Sequence, residues 1–231
     1  MAAKTVLITG STRGIGLAFV ERYQQLGWRV IAGARSFDTA DELRAAGPSD
    51  IIQLDVSDED SILRAAEGLK GEPLDLLINN AGIAVKDTSS RMTKADLMHQ
   101  FEVNAVGPVL LTRAMHPSLK AAATANGHAT IANLSGIVSS ITTGSSFPGL
   151  YGYSASKAAL NMFHAKLSRE LKKDKIISLA FHPGIVATAM TAGKGPMQPS
   201  DAVEAVEKLI SAATLEQSGK FFDYKGKEVA W

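Results

Sequence analysis

Short apolar, β-branched runs alternate with stretches of helical spacing along the whole chain. The runs fall at 5–9, 29–34, 51–54, 74–78, 129–134 and 176–181, with a late run at 221–224. Most are apolar at nearly every position, as expected of strands buried on both faces of a parallel sheet. Between them, apolar residues recur every three or four positions. Ile15, Phe19, Val20, Tyr23 and Leu26 form one such stripe. Ile62, Ala65, Ala66 and Leu69 form another, opening after Ser57 with Asp60 three residues on, a variant of the capping box. This alternation predicts a single α/β domain over 1–231. Its core would be a doubly wound parallel sheet of about seven strands, flanked by helices and joined by right-handed crossovers.

Two stretches break the rhythm. Residues 135–148 are rich in Ser, Thr and Gly, and residues 188–199 in Gly, Ala and Pro. Ligands of open α/β sheets sit outside the carboxyl ends of the strands, and both stretches follow strands directly. They are the predicted rim of a site. The second, short and Gly-rich, is expected to be a mobile, open lid over the substrate.

Composition narrows the chemistry. The chain has 231 residues, 45% of them hydrophobic, and no cysteine. Disulfides, thiolate zinc sites, iron–sulfur clusters and a cysteine nucleophile are therefore excluded. Its 24 basic and 23 acidic residues leave a formal charge of +1, which argues against nucleic-acid binding through a bulk positive field. The histidines at 99, 116, 128, 164 and 182 show no ligand spacing, so no metal site is expected. No run is long and apolar enough to predict a membrane span. The apolar stretch near the start, ending in Thr9-Gly10, is too short for a signal peptide and reads as a first strand. The expected location is cytoplasmic.

The first strand runs into Thr9-Gly10-Ser11-Thr12-Arg13-Gly14-Ile15-Gly16 and then a helix. Glycines there let the backbone turn tightly and approach a pyrophosphate, while the helix N-terminus supplies oriented N–H donors. The plain alternative is a strand–helix turn with no ligand. The second strand ends in Ala34-Arg35, with no acidic residue before Asp38. An acid near that position binds the 2′-hydroxyl of NAD, whereas an arginine accommodates the 2′-phosphate of NADP. Arg35 and Arg13 thus point to NADP(H), unless both are simply solvated.

Of the four tyrosines, only Tyr153 has a lysine four positions later, Lys157. On a helix these share a face. An ammonium near a phenol lowers the phenol's pKa from about 10, making Tyr153 a usable acid for a carbonyl oxygen or base for an alcohol. An isolated match of this spacing is common by chance.

Taken together and in order, Thr9–Gly16, Asp55-Val56, Asn79-Asn80-Ala81-Gly82, Asn104, Tyr153–Lys157 and Pro183-Gly184 resemble the short-chain dehydrogenase/reductase family. Residues 182–186 and 218–222 are similar to its C-factor/sniffer-like carbonyl reductase branch. The resemblance covers nearly the whole chain and implies a Rossmann fold. It also implies roles. Gly10, Gly14 and Gly16 would line the pyrophosphate, with Ile15 and Thr12 in the loop. Asp55 and Val56 would flank the adenine, and Asn80, Ala81 and Gly82 would touch its ribose. Tyr153 would be the acid/base, Lys157 would hold the nicotinamide ribose, and Asn104 would anchor a water. Pro183, Gly184 and Val186 would face the nicotinamide, and Thr188 its carboxamide or the diphosphate. A homodimer or homotetramer is implied by the family alone.

The chain departs from the family at the carbonyl-polarising serine. Relatives carry a Ser-Ser pair after the fifth strand; here Ser135 is followed by Gly136. Counting thirteen residues back from Tyr153 reaches Ser140 instead. The strand-end position favours Ser135 and the spacing favours Ser140, with Ser140 slightly ahead. The expected activity is NADPH-dependent reduction of a ketone or aldehyde. Two alternatives are an alcohol dehydrogenase acting oxidatively and an NADP(H)-binding regulator with little catalysis. Met190 and Met197 read equally as substrate rim or as packing, and Trp231 as packing or a subunit contact.

Overall fold

The computed structural model describes residues 3–144 and 146–231. Seven parallel strands lie in the order β3-β2-β1-β4-β5-β6-β7. They are β1 Thr5–Thr9, β2 Arg29–Ala34, β3 Asp50–Gln53, β4 Leu76–Asn79, β5 Ala129–Leu134, β6 Ile176–His182 and β7 Phe221–Asp223. The helices are α1 Gly14–Gln25, α2 Asp41–Ala46, α3 Glu59–Gly68, α4 Lys94–Phe101, α5 Gly107–Asn126, α6 Ile141–Gly144, α7 Tyr151–Leu171 and α8 Pro199–Ser211. The architecture is the expected doubly wound α/β domain.

Alternation along the strands explains the two layers. Val6 and Ile8 face one side, with Phe19, Val20 and Tyr23 of α1 and Val203 and Val206 of α8. Leu7 faces the other, with Ile62 of α3 and Leu111, Met115 and Leu119 of α5. Each fully buried side chain of this size contributes about 1.5–3 kcal/mol. Leu26 lies past the end of α1 and is exposed, so the first stripe ends at Tyr23.

Some boundaries differ from the sequence expectation. β3 is shifted one residue earlier than 51–54, and Leu54 turns its side chain into the core beyond the strand end. β4 begins at Leu76 because Asp75 turns its carboxylate onto the N–H of Thr5. The cap of α3 is Asp58, whose carboxylate accepts from the N–H of Asp60. Ser57 is diverted, its hydroxyl donating to Asp55 Oδ1 at 2.6 Å.

Registers Thr9↔Gly33, Asn79↔Asn133 and Leu134↔Phe181 align the carboxyl ends of the strands along one edge. The strand order reverses between β1 and β4, the switch point where such sheets bind ligands. The stretch 188–199 returns along that edge. Thr188 and Thr191 cap a short turn reciprocally, and the N–H of Ala187 donates to the carbonyl of Met197 at 2.8 Å. Among the described residues no helix is long and apolar enough to cross a membrane.

A polar seam crosses this apolar interior. Asn79 donates to Asn133 at 2.9 Å, and His164 of α7 bonds Ser178 of β6 at 2.9 Å. Burial pushes the His164 pKa down to about 4. The unfolded imidazole titrates near 6.5, so below that pH the unfolded chain takes up a proton that the fold refuses. Stability should therefore fall as pH drops from about 6.5 to about 4, by up to about 3 kcal/mol. Urea unfolding at about pH 7 and about pH 5 should show about 2 kcal/mol of this loss in the native chain and much less in His164→Gln. An equal loss in both would contradict it.

Candidate active site

The glycine loop sits at the switch point, and its backbone has little freedom. Gly10 has φ +66°, and a Cβ there would lie 2.9 Å from the Cα of Ala81. A Cβ on Gly16 would lie 2.1 Å from the carbonyl oxygen of Gly10. Hydrogen bonds fasten this loop to the next strands. The Thr9 hydroxyl accepts from the N–H groups of Asn80 and Ala81 at 3.0 and 2.9 Å. Asn80 returns its carboxamide N–H to the carbonyl of Thr9 at 2.8 Å. Ser11 donates its N–H to the carbonyl of Gly33 at 3.1 Å, joining the loop to the end of β2.

The helix behind the loop is open to an anion. α1 starts at Gly14, its N-cap Arg13 makes no side-chain cap, and no acidic residue lies in the first turn. Its N–H groups and positive dipole end therefore have no protein anion to satisfy them. Thr12 and Ile15 are half-buried beside it. Thr188 reaches over the loop from the other side, its methyl 3.3 Å from where a Gly14 Cβ would stand. Arg13 and Arg35 are exposed, and neither forms an ion pair among the described residues. A close backbone approach, an uncapped helix end and two unpaired guanidiniums fit a phosphorylated dinucleotide.

Around this cradle, Asp55 accepts from Ser57 N–H at 2.9 Å, and the buried Val56 lies under Gly107, whose Cβ would be 2.3 Å from its carbonyl oxygen. Pro183 and Val186 are buried on the far side of the edge. Gly184 has φ +92°, and a Cβ there would press on Met197 Sδ and Tyr224 Cδ1 at 3.3 Å each. Met197 is half-buried against Gly184, while Met190 is exposed. Trp231 stacks on Phe221 with centroids 5.7 Å apart.

α7 brings Tyr153 and Lys157 onto the same edge. Lys157 Nζ donates to the carbonyl of Leu134, at the end of β5, at 2.6 Å and lies 6.0 Å from the Tyr153 ring centre. Gly82 lies beside both Asn104 and Lys157, since a Cβ there would stand 3.1 Å from Asn104 Oδ1 and 3.5 Å from Nζ. Loss of water pushes the Tyr153 phenol up to about 12 and the Lys157 ammonium down to about 8. The expected depression of the phenol is absent because burial outweighs an ammonium engaged with a backbone carbonyl.

Asn104 lies in a π-helical turn, Glu102–Val106, a distortion that recurs at functional sites. Its carboxamide clasps Ile83, accepting from the N–H and donating to the carbonyl, both at 2.8 Å, and also donates to Ser156 Oγ at 3.0 Å.

Neither candidate serine has Tyr153 as a hydrogen-bond partner. Ser135 Oγ donates to Asn161 Oδ1 at 2.8 Å. Ser140 Oγ lies 2.7 Å from Thr143 Oγ1 and accepts from the N–H of Thr143. The residue facing the phenol is Gly136, where a Cβ would stand 3.4 Å from Tyr153 Oη.

Sequence reasoning missed Asp87. Its buried carboxylate accepts from the N–H groups of Tyr151 and Gly152 at 2.6 and 2.9 Å, capping α7 just before Tyr153. Gln100, bonded to the N–H of Val85 at 2.9 Å, fills the space beside Gly152. The contacts span 64 and 15 residues, so no local signal announces either one.

A doubly wound sheet with a glycine cradle and a tyrosine–lysine pair at its switch point defines a class, and comparison identifies it. The short chain dehydrogenase family model matches residues 4–199, and the chain belongs to that family of oxidoreductases. The C-signal protein of Myxococcus xanthus is 36% identical over 160 residues, 69% of this chain and 93% of that one. The 1-hydroxy-2-glutathionyl-2-methyl-3-butene dehydrogenase of Rhodococcus sp. is 32% identical, covering 98% of this chain and 99% of that one. Among solved structures, the NADPH-bound carbonyl reductase from chicken fatty liver superposes with a TM-score of 0.91 at 34% identity, covering 100% of both chains. The carbonyl reductase Sniffer of D. melanogaster does so with a TM-score of 0.93 at 31% identity, again over 100% of both.

Asp87→Ala should destabilise the fold by about 1–2 kcal/mol, the usual worth of a lost helix cap. Calorimetry should read this as a fall in melting temperature of roughly 2–8 °C. An unchanged melting temperature would remove Asp87 from the support of α7.

Proposed function

We propose that this chain is an NADPH-dependent carbonyl reductase that converts a ketone or aldehyde to the alcohol. The observation that carries the reading is the placement of Tyr153 by α7 at the carboxyl edge, with Lys157 Nζ 6.0 Å from its ring centre. At neutral pH the phenol keeps its proton, which is what a general acid for a carbonyl oxygen needs.

NADP(H) would lie along the edge, and its reduced nicotinamide supplies a hydride to the carbonyl carbon. The chain's own residues do the rest. The N–H groups of residues 12–15 would take the diphosphate, and Arg13 and Arg35 the 2′-phosphate. Asp55, Val56, Asn80 and Ala81 would frame the adenosine half, while Pro183, Gly184, Val186 and Thr188 would frame the nicotinamide half. Lys157 would bind the ribose, Asn104 would hold the turn around the site, and Tyr153 would give its proton to the oxygen. Support for the cofactor comes from the unpaired arginines and from the NADPH bound by the chicken protein. Residues 188–199 would cover the substrate, within a cytoplasmic homodimer or homotetramer. Gly136 gives a specific reason to keep the rival reading of a cofactor-binding regulator.

Carbonyl-dependent NADPH oxidation tests this. Tyr153→Phe should lose at least about 10²-fold in rate while retaining NADPH binding. The native rate should fall as pH rises through about 8, where Lys157 loses its charge. Full activity in the variant would refute the proton-donor assignment. Tight NADPH binding with no turnover of any carbonyl would favour the regulator.

A further inference from the structure

We infer that Gly136 sets the electronic selectivity of this site: among the described residues Tyr153 is the donor to the carbonyl oxygen, and the place for a second donor beside it is left open. The inference rests on the reductase reading and deepens it.

Nothing in the backbone requires glycine here. Gly136 has φ −152° and ψ 150°, an extended conformation that any residue adopts. An added Cβ would meet Tyr153 Oη at 3.4 Å, Tyr153 Cε1 at 3.6 Å and Val138 Cγ2 at 3.7 Å, which are ordinary contacts. What glycine changes is the chemistry beside the phenol oxygen. A hydroxyl on that Cβ would stand within hydrogen-bond reach of an oxygen that Tyr153 also bonds.

Among the described residues, the neighbouring hydroxyls have other partners. Ser135 donates to Asn161 Oδ1 at 2.8 Å. Ser139 donates to the carbonyl of Gly136 at 2.6 Å and accepts from Asn161 Nδ2 at 2.7 Å. Ser140 is paired with Thr143 at 2.7 Å. A hydroxyl carries one proton, so these bonds leave Ser135 and Ser139 none to give.

In the reduction the carbonyl carbon gains a hydride, its π electron pair moves to the oxygen, and that oxygen takes the Tyr153 proton. NADPH is the reductant, and the products are the alcohol and NADP⁺. Losing one preorganised donor to such an oxygen costs about 10²–10³ in rate. Carbonyls that are strong hydride acceptors on their own tolerate that loss, and electron-rich ones do not. The site therefore selects on carbonyl electrophilicity.

Two variants separate donor from bulk: Gly136→Ser adds a Cβ and a hydroxyl, and Gly136→Ala adds only the Cβ. Each is assayed with NADPH on ring-substituted acetophenones. The native enzyme should depend steeply on electron withdrawal. Gly136→Ser should raise kcat/KM for the unsubstituted ketone by about 10²-fold and flatten that dependence. Gly136→Ala, which adds no donor, should show neither the gain nor the flattening. Isotope-edited infrared of a bound ketone should show a lower carbonyl stretch in Gly136→Ser than in either of the others. Equal slopes in all three proteins, or an equal gain in Gly136→Ala, would overturn the inference. If none of the three turns over a carbonyl while all bind NADPH, the reductase reading fails instead, and the infrared shift still reports the donor.

Discussion

The site depends on the hydrogen-bonded cross between the ends of β1 and β4. The Thr9 hydroxyl takes the N–H groups of Asn80 and Ala81, and the Asn80 carboxamide returns to the carbonyl of Thr9. These strands flank the point where the sheet reverses its order. Two parallel strands diverging there would leave a cleft with unsatisfied backbone groups; the cross closes its floor. With the floor fixed, Gly10 packs on Ala81, and the loop can present the bare N-terminus of α1 to an anion. Such groups cost free energy when buried and unpaired, so a ligand phosphate and the protein complete one another.

The tyrosine–lysine half hangs from the same edge by different means. Lys157 reaches the end of β5, Asn104 clasps Ile83, and Asp87 caps the helix that carries Tyr153. All three tie helical side chains or helix ends to a strand end or to the loop that follows β4. Together they hold an ammonium and a phenol where burial moves both pKa values, raising the phenol and lowering the ammonium.

Most of the sheet was legible in the sequence because a buried parallel strand leaves an apolar, β-branched run. β1, β2 and β5 fall at their expected residues for that reason. The tyrosine–lysine pair and the glycine loop were legible because their geometry is local, four residues on a helix and one turn between elements. The cap of α3 was misassigned by one residue because Ser57 and Asp58 are both capping types, and the choice between them turned on Asp55. Asp87, Gln100 and the commitment of Ser135 to Asn161 are contacts across the fold, which no spacing rule encodes. The choice between Ser135 and Ser140 was posed from position along the chain. The structure gives both hydroxyls other partners and sets Gly136 opposite the phenol.

The central claim is that one edge of the sheet seats NADP(H) and aims Tyr153 at a carbonyl oxygen. A crystal structure with NADP⁺ and a bound ketone tests it most directly. The account predicts the diphosphate on the N–H groups at the start of α1, the 2′-phosphate between Arg13 and Arg35, and Tyr153 as the one side chain bonded to the ketone oxygen. A nucleotide bound away from the glycine loop, or a ketone oxygen turned away from Tyr153, would contradict it.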